Sequence, residues 1–211
     1  MHEHVRFKSK DTQIKMKKKP IYDVMSRLFD IVFSIVFFII SSPIFLIVVV
    51  AIKIEDGGDI LYRQIRLGKD GEIFTIYKIR SMRVGLVEKE IKWTEIEDDR
   101  ITKVGKFIRK TRIDEIPQLY NILMGQMKMI GPRPERPELA EEFYVKLPEF
   151  ADRLAVKPGL TGLAQVSGGY DLTPAEKLNF DVEYIKYRSL SLDLKIMLKT
   201  MSVVLRGEGA R

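Results

Sequence analysis

Two adjacent carboxylates, Asp114 and Glu115, stand in the run Thr111-Arg112-Ile113-Asp114-Glu115-Ile116-Pro117. Arg109 and Arg112 lie within about a turn before them, and Arg133 and Arg136 follow in a proline-rich loop. Paired acids among guanidinium groups suit a divalent cation and a polyphosphate. One acid holds Mg²⁺, the arginines clamp phosphoryl oxygens, and the other acid can attack phosphorus. A bland account competes: an N-cap aspartate and a first-turn acid are a common helix start, where the dipole favours an anion.

Other chemistry-bearing residues are fewer. Lys78-Ile79-Arg80-Ser81 ends an apolar alternation that puts Lys78 and Arg80 on one strand face, which fits a phosphate site and a solvated face equally well. Lys157 and Arg153 could also serve phosphate. Tyr120, Tyr184 and Tyr187 have the spacing of packing or interfacial residues. His2 and His4 are the only histidines and Cys is absent, which excludes a histidine triad, a thiolate zinc site and a cysteine nucleophile. Gly68 and Gly71 read as a hairpin turn, since no helix follows closely, and no Gly-x-x-x-x-Gly-Lys-Ser/Thr loop occurs.

The elements that must position these groups follow from periodicity. Residues 59–66 and 72–80 read as a β-hairpin around Gly68-Lys69-Asp70-Gly71. Residues 83–101 are charged and weakly patterned, a surface segment. Thr102 caps a predicted helix over 103–110 with Val104, Phe107 and Ile108 as its apolar face. A second helix is predicted from Asp114 to about Met124, closed by Gly125, with Ile116, Leu119, Tyr120 and Leu123 inward. Ile130-Gly131-Pro132-Arg133-Pro134 and Lys157-Pro158-Gly159-Leu160-Thr161-Gly162 read as loops, with a helix over 137–146 between them. Thr173-Pro174-Ala175-Glu176 is a capping box that opens a helix to about Arg188, and a last helix covers 192–205, stopping at Gly207. The prediction is a small helix-rich α/β (α+β) body.

The 211 residues allow one compact core, and 45% hydrophobic against 31% charged residues excludes wholesale disorder. Of the net charge of +7, +4 sits in residues 1–30, a basic arm just before residues 31–52, which carry no charge. Such an arm points to anionic lipid, and no nucleic-acid-binding pattern accompanies it. As a helix the uncharged stretch spans about 33 Å, enough for a hydrocarbon layer of roughly 30 Å. It reads as a retained anchor, since no cleavage motif follows it. Ser41-Ser42-Pro43 interrupts its middle. A kinked span and a re-entrant helix-break-helix hairpin both fit. Basic residues on both flanks mildly favour the hairpin. The expected organisation is a basic arm over 1–20, a membrane segment over 21–54 and a catalytic body over 55–211.

The chain resembles the bacterial sugar transferases, the monotopic phosphoglycosyl transferases. The resemblance rests on Tyr62-Arg63-Gln64 with Arg66-x-Gly68-x-x-Gly71, Tyr77-Lys78-Ile79-Arg80-Ser81-Met82, and Arg109-x-x-x-x-Asp114-Glu115-Ile116-Pro117-Gln118-Leu119-x-Asn121. Gly131-Pro132-Arg133-Pro134, Lys157-Pro158-Gly159-Leu160-Thr161-Gly162-x-Ala164-Gln165-Val166, Asp181 and Ser191-Leu192-Asp193 follow in order. It implies a minimal form without an N-terminal bundle of spans, anchored by a re-entrant helix broken at Ser42 and Pro43, on the cytoplasmic face of a bacterial plasma membrane. It implies that Asp114 attacks the β-phosphate of a UDP-sugar and releases UMP, leaving a covalent phosphosugar. Polyprenyl phosphate, usually undecaprenyl phosphate, then takes the phosphosugar, an initiating step of capsule, exopolysaccharide or glycoconjugate assembly. Glu115 would associate with Mg²⁺ and Arg109 with the nucleotide. Arg112, Arg133, Lys78, Arg80 and Lys157 complete the candidate nucleotide- and phosphate-binding cations. Two positions depart from the family pattern: Ile79 replaces a usual Phe, and Gly169 stands where an Arg is common. The alternatives are direct transfer with Asp114 as base, and a non-enzymatic single-span adaptor.

Overall fold

Helix α1 (Pro20–Glu55) opens the computed structural model, which describes residues 14, 16–83 and 98–207. Most of the basic arm, both histidines and most of the charged segment 83–101 lie outside the described residues. At 36 residues α1 is about 54 Å long. It is long and apolar enough to cross a membrane, and only 17% of its most apolar window is buried. Its buried residues, Tyr22, Ser26, Asp30, Ser34, Ser41, Val48 and Ile52, recur at four- and seven-residue steps and so form one face. That face touches the body at both ends. Tyr22 meets Tyr184, and Val48 and Ile52 cluster with Ile79 and Ile108.

The expected interruption at Ser42 and Pro43 does not end the helix, which is continuous through both residues. Pro43 has no N–H to give the carbonyl of Ile39, four residues back. The Ser42 hydroxyl donates to that carbonyl instead, at 2.8 Å. Ser41 donates to Phe38 in the same way, at 3.3 Å. The lost backbone bond is replaced locally, as apolar surroundings require.

Strands β1 (Leu61–Leu67) and β2 (Ile73–Ile79) pair antiparallel from Leu61 with Ile79 to Leu67 with Ile73, as the hairpin pattern predicted. Phe74 and Ile76 on one face enter the core. Helix α2 (Lys103–Lys110) is capped by Thr102, whose hydroxyl accepts from the Gly105 N–H at 2.8 Å. Its inward face is Val104, Gly105 and Ile108. Phe107, expected inward, is 58% exposed, because Gly105 and Ile108 take the close contact and Phe107 falls on the far side of the turn.

The helix predicted over 114–124 is two pieces. A single 3-10 turn covers Ile113–Glu115, and helix α3 covers Gln118–Leu123. Arg112 is left-handed at φ 59° and Pro117 cannot donate to a preceding carbonyl, so no α-helical ladder runs through the acid pair. Ile116, Leu119 and Ile122 are buried, whereas Tyr120 is exposed and set edge-on to Tyr77.

The two glycine-rich segments read as loops hold a second sheet. Strands β3 (Lys128–Ile130) and β4 (Gly159–Thr161) pair in parallel. Glycine makes this approach possible: a Cβ at Gly159 would lie 2.1 Å from the Gly131 nitrogen, and one at Gly162 2.1 Å from the Gly131 carbonyl oxygen. Of the remaining elements, α4 (Pro137–Lys146), α6 (Pro174–Tyr187) and α7 (Leu190–Arg206) match the predicted helices closely, whereas a 3-10 stretch (Pro148–Ala155) and a short α5 (Leu163–Ser167) were not predicted. Thr173 and Glu176 form the expected capping box on α6. The body is helix-rich with two small sheets, and its main core joins Phe74, Ile76, Leu119, Ile122, Met129 and Ile196.

Candidate active site

Asp114 and Glu115 lie in the 3-10 turn between α2 and α3, and both are buried. Their position differs from the expected N-cap, so no helix dipole of useful length acts on Asp114. What surrounds them is cationic. Lys78, near the end of β2, places its Nζ 3.2 Å from Glu115 Oε1 and 3.9 Å from Asp114 Oδ2. Arg133, from the Gly-Pro-Arg-Pro segment after β3, donates to the same Glu115 oxygen at 2.9 Å.

The two acids are therefore unequal. Burial pushes the Asp114 carboxyl up to about 6, with the Lys78 charge opposing and the Glu115 charge assisting. Burial also acts on Glu115, but Arg133, Lys78 and Arg112 outweigh it and hold that carboxyl well below the usual range. The expected helix-dipole support for the Asp114 anion is absent, and of the two acids Glu115 is the pinned anion. Asp114 is the less committed acid, with one cation at the edge of ion-pair range, and it keeps more basicity for attack on an electrophile.

Several elements fix this arrangement. Asn121 on α3 is fully buried and its amide donates to the Thr75 carbonyl at 2.7 Å, while its oxygen accepts from the Tyr77 N–H at 3.3 Å. It ties α3 to β2, one residue from Lys78. Arg153 fixes the other side: its guanidinium donates to the Arg133 carbonyl at 3.0 Å and pairs with Asp181 at 2.6 Å. Glu135 lies 3.6 Å from the same group. Arg153 was a phosphate candidate in the sequence; it is instead buried and committed to these acids.

Asp181→Ala should leave Arg153 buried with only Glu135 to balance it. The expected cost is about 3 kcal/mol, read as a fall in the unfolding midpoint of the detergent-solubilised protein.

Of the other predicted cations, Arg109 and Arg112 act electrostatically on Asp114 and Glu115 respectively. Arg80 does not join the site. It follows the end of β2 and turns to Asp56, just after α1, pairing with both carboxylate oxygens and donating to the Asp59 carbonyl. Lys157 is not brought to the acids either. Its Nζ lies 3.5 Å from where a Cβ on Gly125 would sit, near the Arg27 guanidinium. Arg27 meanwhile caps α3, donating to the carbonyls of Ile122 and Leu123. Arg136 pairs with Glu138 at 3.7 Å.

The sequence reading missed the polar joint between α1 and the body. Asp193 accepts from Tyr22 and Tyr184, Lys128 donates to Ser26, and Asp30 accepts from the Met129 N–H. The signal was present: Tyr22, Ser26 and Asp30 recur every four residues at the mouth of the apolar run.

No group of three or more candidate metal ligands occurs among the described residues. The chemistry of the donor set nonetheless fits Mg²⁺, which takes one or two protein carboxylates and completes its shell with water and substrate phosphate oxygens.

A family model described as bacterial sugar transferase matches residues 21–207. The chain is 40% identical over 195 residues to the UDP-N-acetylgalactosamine-undecaprenyl-phosphate N-acetylgalactosaminephosphotransferase of Aeromonas hydrophila, covering 91% of this chain and 46% of that protein. It is 39% identical to a UDP-glucose:undecaprenyl-phosphate glucose-1-phosphate transferase of Klebsiella pneumoniae, over 84% of this chain and 39% of that one. A protein of the same name from Caulobacter vibrioides is 37% identical, over 89% and 72% of the two chains. The chain thus spans less than half the length of the first two relatives.

Proposed function

The chain belongs to the bacterial sugar transferase family, and from that premise we propose that it transfers a sugar-1-phosphate from a UDP-sugar to a polyprenyl phosphate, with undecaprenyl phosphate as the acceptor. The observation that carries the reading is the unequal acid pair, one carboxylate pinned by Lys78 and Arg133 and the other little committed. The relatives' names supply the substrate class, and they differ in the sugar. The transfer begins capsule, exopolysaccharide or glycoconjugate assembly.

The proposed route is ping-pong. An Asp114 oxygen forms a bond to the β-phosphorus, the bond from that phosphorus to the α–β bridging oxygen breaks, and UMP leaves with the electron pair. A phosphate oxygen of the lipid then attacks the same phosphorus. The Asp114 oxygen–phosphorus bond breaks, the carboxylate is restored and polyprenyl diphosphate-sugar departs. Arg133 and Lys78, which converge on Glu115, stabilise charge as it moves to the leaving group, with Arg109 and Arg112 adding to the field. Glu115 would hold Mg²⁺, which when bound neutralises diphosphate charge.

Incubation with a panel of UDP-sugars and undecaprenyl phosphate should release UMP with one sugar favoured. Chelation of Mg²⁺ should stop the release, and Glu115→Gln should raise the Mg²⁺ concentration needed. Failure of every UDP-sugar to release UMP would overturn the proposal.

Membrane placement follows from α1. A straight crossing would carry one end of residues 31–52 away from the body. Here Tyr22 and Asp30 before that stretch and Val48 and Ile52 within its end all pack on the same body. This supports a monotopic placement with both ends in the cytoplasm, with α1 lying along the body as one continuous helix that lacks the break a re-entrant hairpin needs. The chain has no native cysteine, so Lys18→Cys and Arg206→Cys each give a single label site. Both should resist an impermeant thiol reagent in intact cells and react after lysis. Labelling of one alone would mean a true span.

A further inference from the structure

Three elements meet at one junction, and two of them lead to the acid pair. Helix α1 stops at Glu55, β2 stops at Ile79, and α2 starts at Lys103. Val48 and Ile52 of α1, Ile79 of β2 and Ile108 of α2 form one apolar cluster that joins all three. The other links are polar. The Glu55 carboxylate accepts from the N–H groups of Lys103 and Val104 at 2.8 and 3.1 Å, so the end of α1 caps α2. Asp56, the next residue, takes the buried Arg80 guanidinium on both its oxygens. The Arg80 N–H donates to the Ile60 carbonyl at 2.8 Å, and the Ser81 carbonyl accepts from the Thr102 N–H at 3.1 Å. A Cβ on Gly105 would lie 2.0 Å from that Ser81 oxygen, so α2 and the chain beyond β2 touch backbone to backbone.

This junction governs a separation inside the site. Strand β2 delivers Lys78 two residues before Arg80, whereas α2 leads through Arg109 and Arg112 to Asp114 and Glu115. The Lys78 ammonium is a point charge on a flexible stem, and its ionic contacts are with the very acids it serves. Those contacts give it no independent placement once a phosphate competes for it. The backbone of β2 must be fixed from elsewhere. The Arg80 fork on Asp56 is directional and bidentate. A buried ion pair returns little net stability after desolvation, so what it contributes is placement. We propose that Arg80 and Asp56 are positioning residues for the transfer. They tie the end of β2 to the end of α1 and thereby set Lys78 against Asp114 and Glu115, while Glu55 holds α2 to the same helix end. The proposal rests on the phosphoryl-transfer reading of the acid pair.

Rapid-quench measurement of UMP release by the whole chain, with Mg²⁺ and the favoured UDP-sugar, tests this. Asp56→Asn should slow release at least about tenfold, while the half-saturating UDP-sugar concentration stays within about twofold of the parent's. Asp56→Glu keeps the carboxylate and should recover most of the rate. Asp56→Asn combined with Arg80→Gln leaves no buried cation unpaired, so it keeps the fold, and it should be as slow as Asp56→Asn alone. In a Lys78→Met background, already slow, Asp56→Asn should cost less than about twofold more, because the residue it positions is gone. Thr173→Ala is the stability control: it loses the α6 capping box, lowers the unfolding midpoint and leaves the rate at the parent value. A parent-like rate in Asp56→Asn would overturn the proposal, as would losses that multiply when Lys78→Met and Asp56→Asn are combined. Both of these outcomes leave the transfer reading standing. No UMP from the parent, with or without lipid, would instead overturn the transfer reading and this proposal with it.

Discussion

Asp114→Asn is expected to abolish the UMP burst and the covalent adduct together, and to lower turnover on the order of 10⁴-fold or more. Parent enzyme mixed with Mg²⁺ and the favoured UDP-sugar, without lipid, should release about one equivalent of UMP per site and gain the mass of a phosphosugar on Asp114. Addition of polyprenyl phosphate should discharge it. The substitution keeps the side-chain volume and removes the one oxygen nucleophile the route requires. It also removes a buried charge, so the fold should survive and thermal unfolding of D114N should match or exceed the parent's. Normal turnover in the parent without any adduct would make Asp114 a base or an orienting group and the transfer direct.

Gly159→Ala should have the largest effect on stability. The new methyl group would sit 2.1 Å from the Gly131 nitrogen, 2.5 Å from the Thr161 oxygen and 2.6 Å from the Gly131 Cα. All three are backbone atoms, so no side chain can swing aside. Relief requires β3 and β4 to part, which endangers the bonds from Gly131 N–H to Thr161 and from Gly159 N–H to Pro132. A cost above about 3 kcal/mol is expected, a midpoint drop on the order of 10 °C. Gly169→Ala is the control. A Cβ there meets nothing within 4 Å, and only its φ of +57° opposes a side chain, a penalty of about 1 kcal/mol. Equal midpoints for the two variants would refute the close-packing account.

This glycine contact shows where sequence reasoning stopped. Gly131-Pro132-Arg133-Pro134 and Lys157-Pro158-Gly159-Leu160-Thr161-Gly162 were legible as rigid segments, yet nothing local says that they lie against one another. Parallel pairing joins residues about thirty apart and leaves no turn signature. The hairpin, the Thr102 cap and the Thr173 capping box were legible because each is a short-range pattern. The acid pair was legible by residue type, and Arg133 by its company. Lys78 and Arg80 could not be told apart, since alternation puts both on one face and only the chain beyond Ile79 decides that Arg80 turns to Asp56. A proline at 117 is compatible with the first turn of a helix that starts at Asp114, so the sequence alone points to a helix start there. The left-handed Arg112 was invisible to any propensity.

The polar face of α1 has a consequence for how the protein is assembled. Tyr22, Ser26, Asp30 and Ser34 are buried only because the body covers them, and on a bare helix Asp30 and Ser34 would meet lipid or its boundary at considerable cost. The helix therefore is not a portable tag that could be grafted to tether an unrelated cargo. Its amphipathic design has two solvents, hydrocarbon on one side and its own protein on the other. Membrane insertion and completion of the soluble fold are in that sense a single cooperative event, with neither half stable in its final form until the other has arrived.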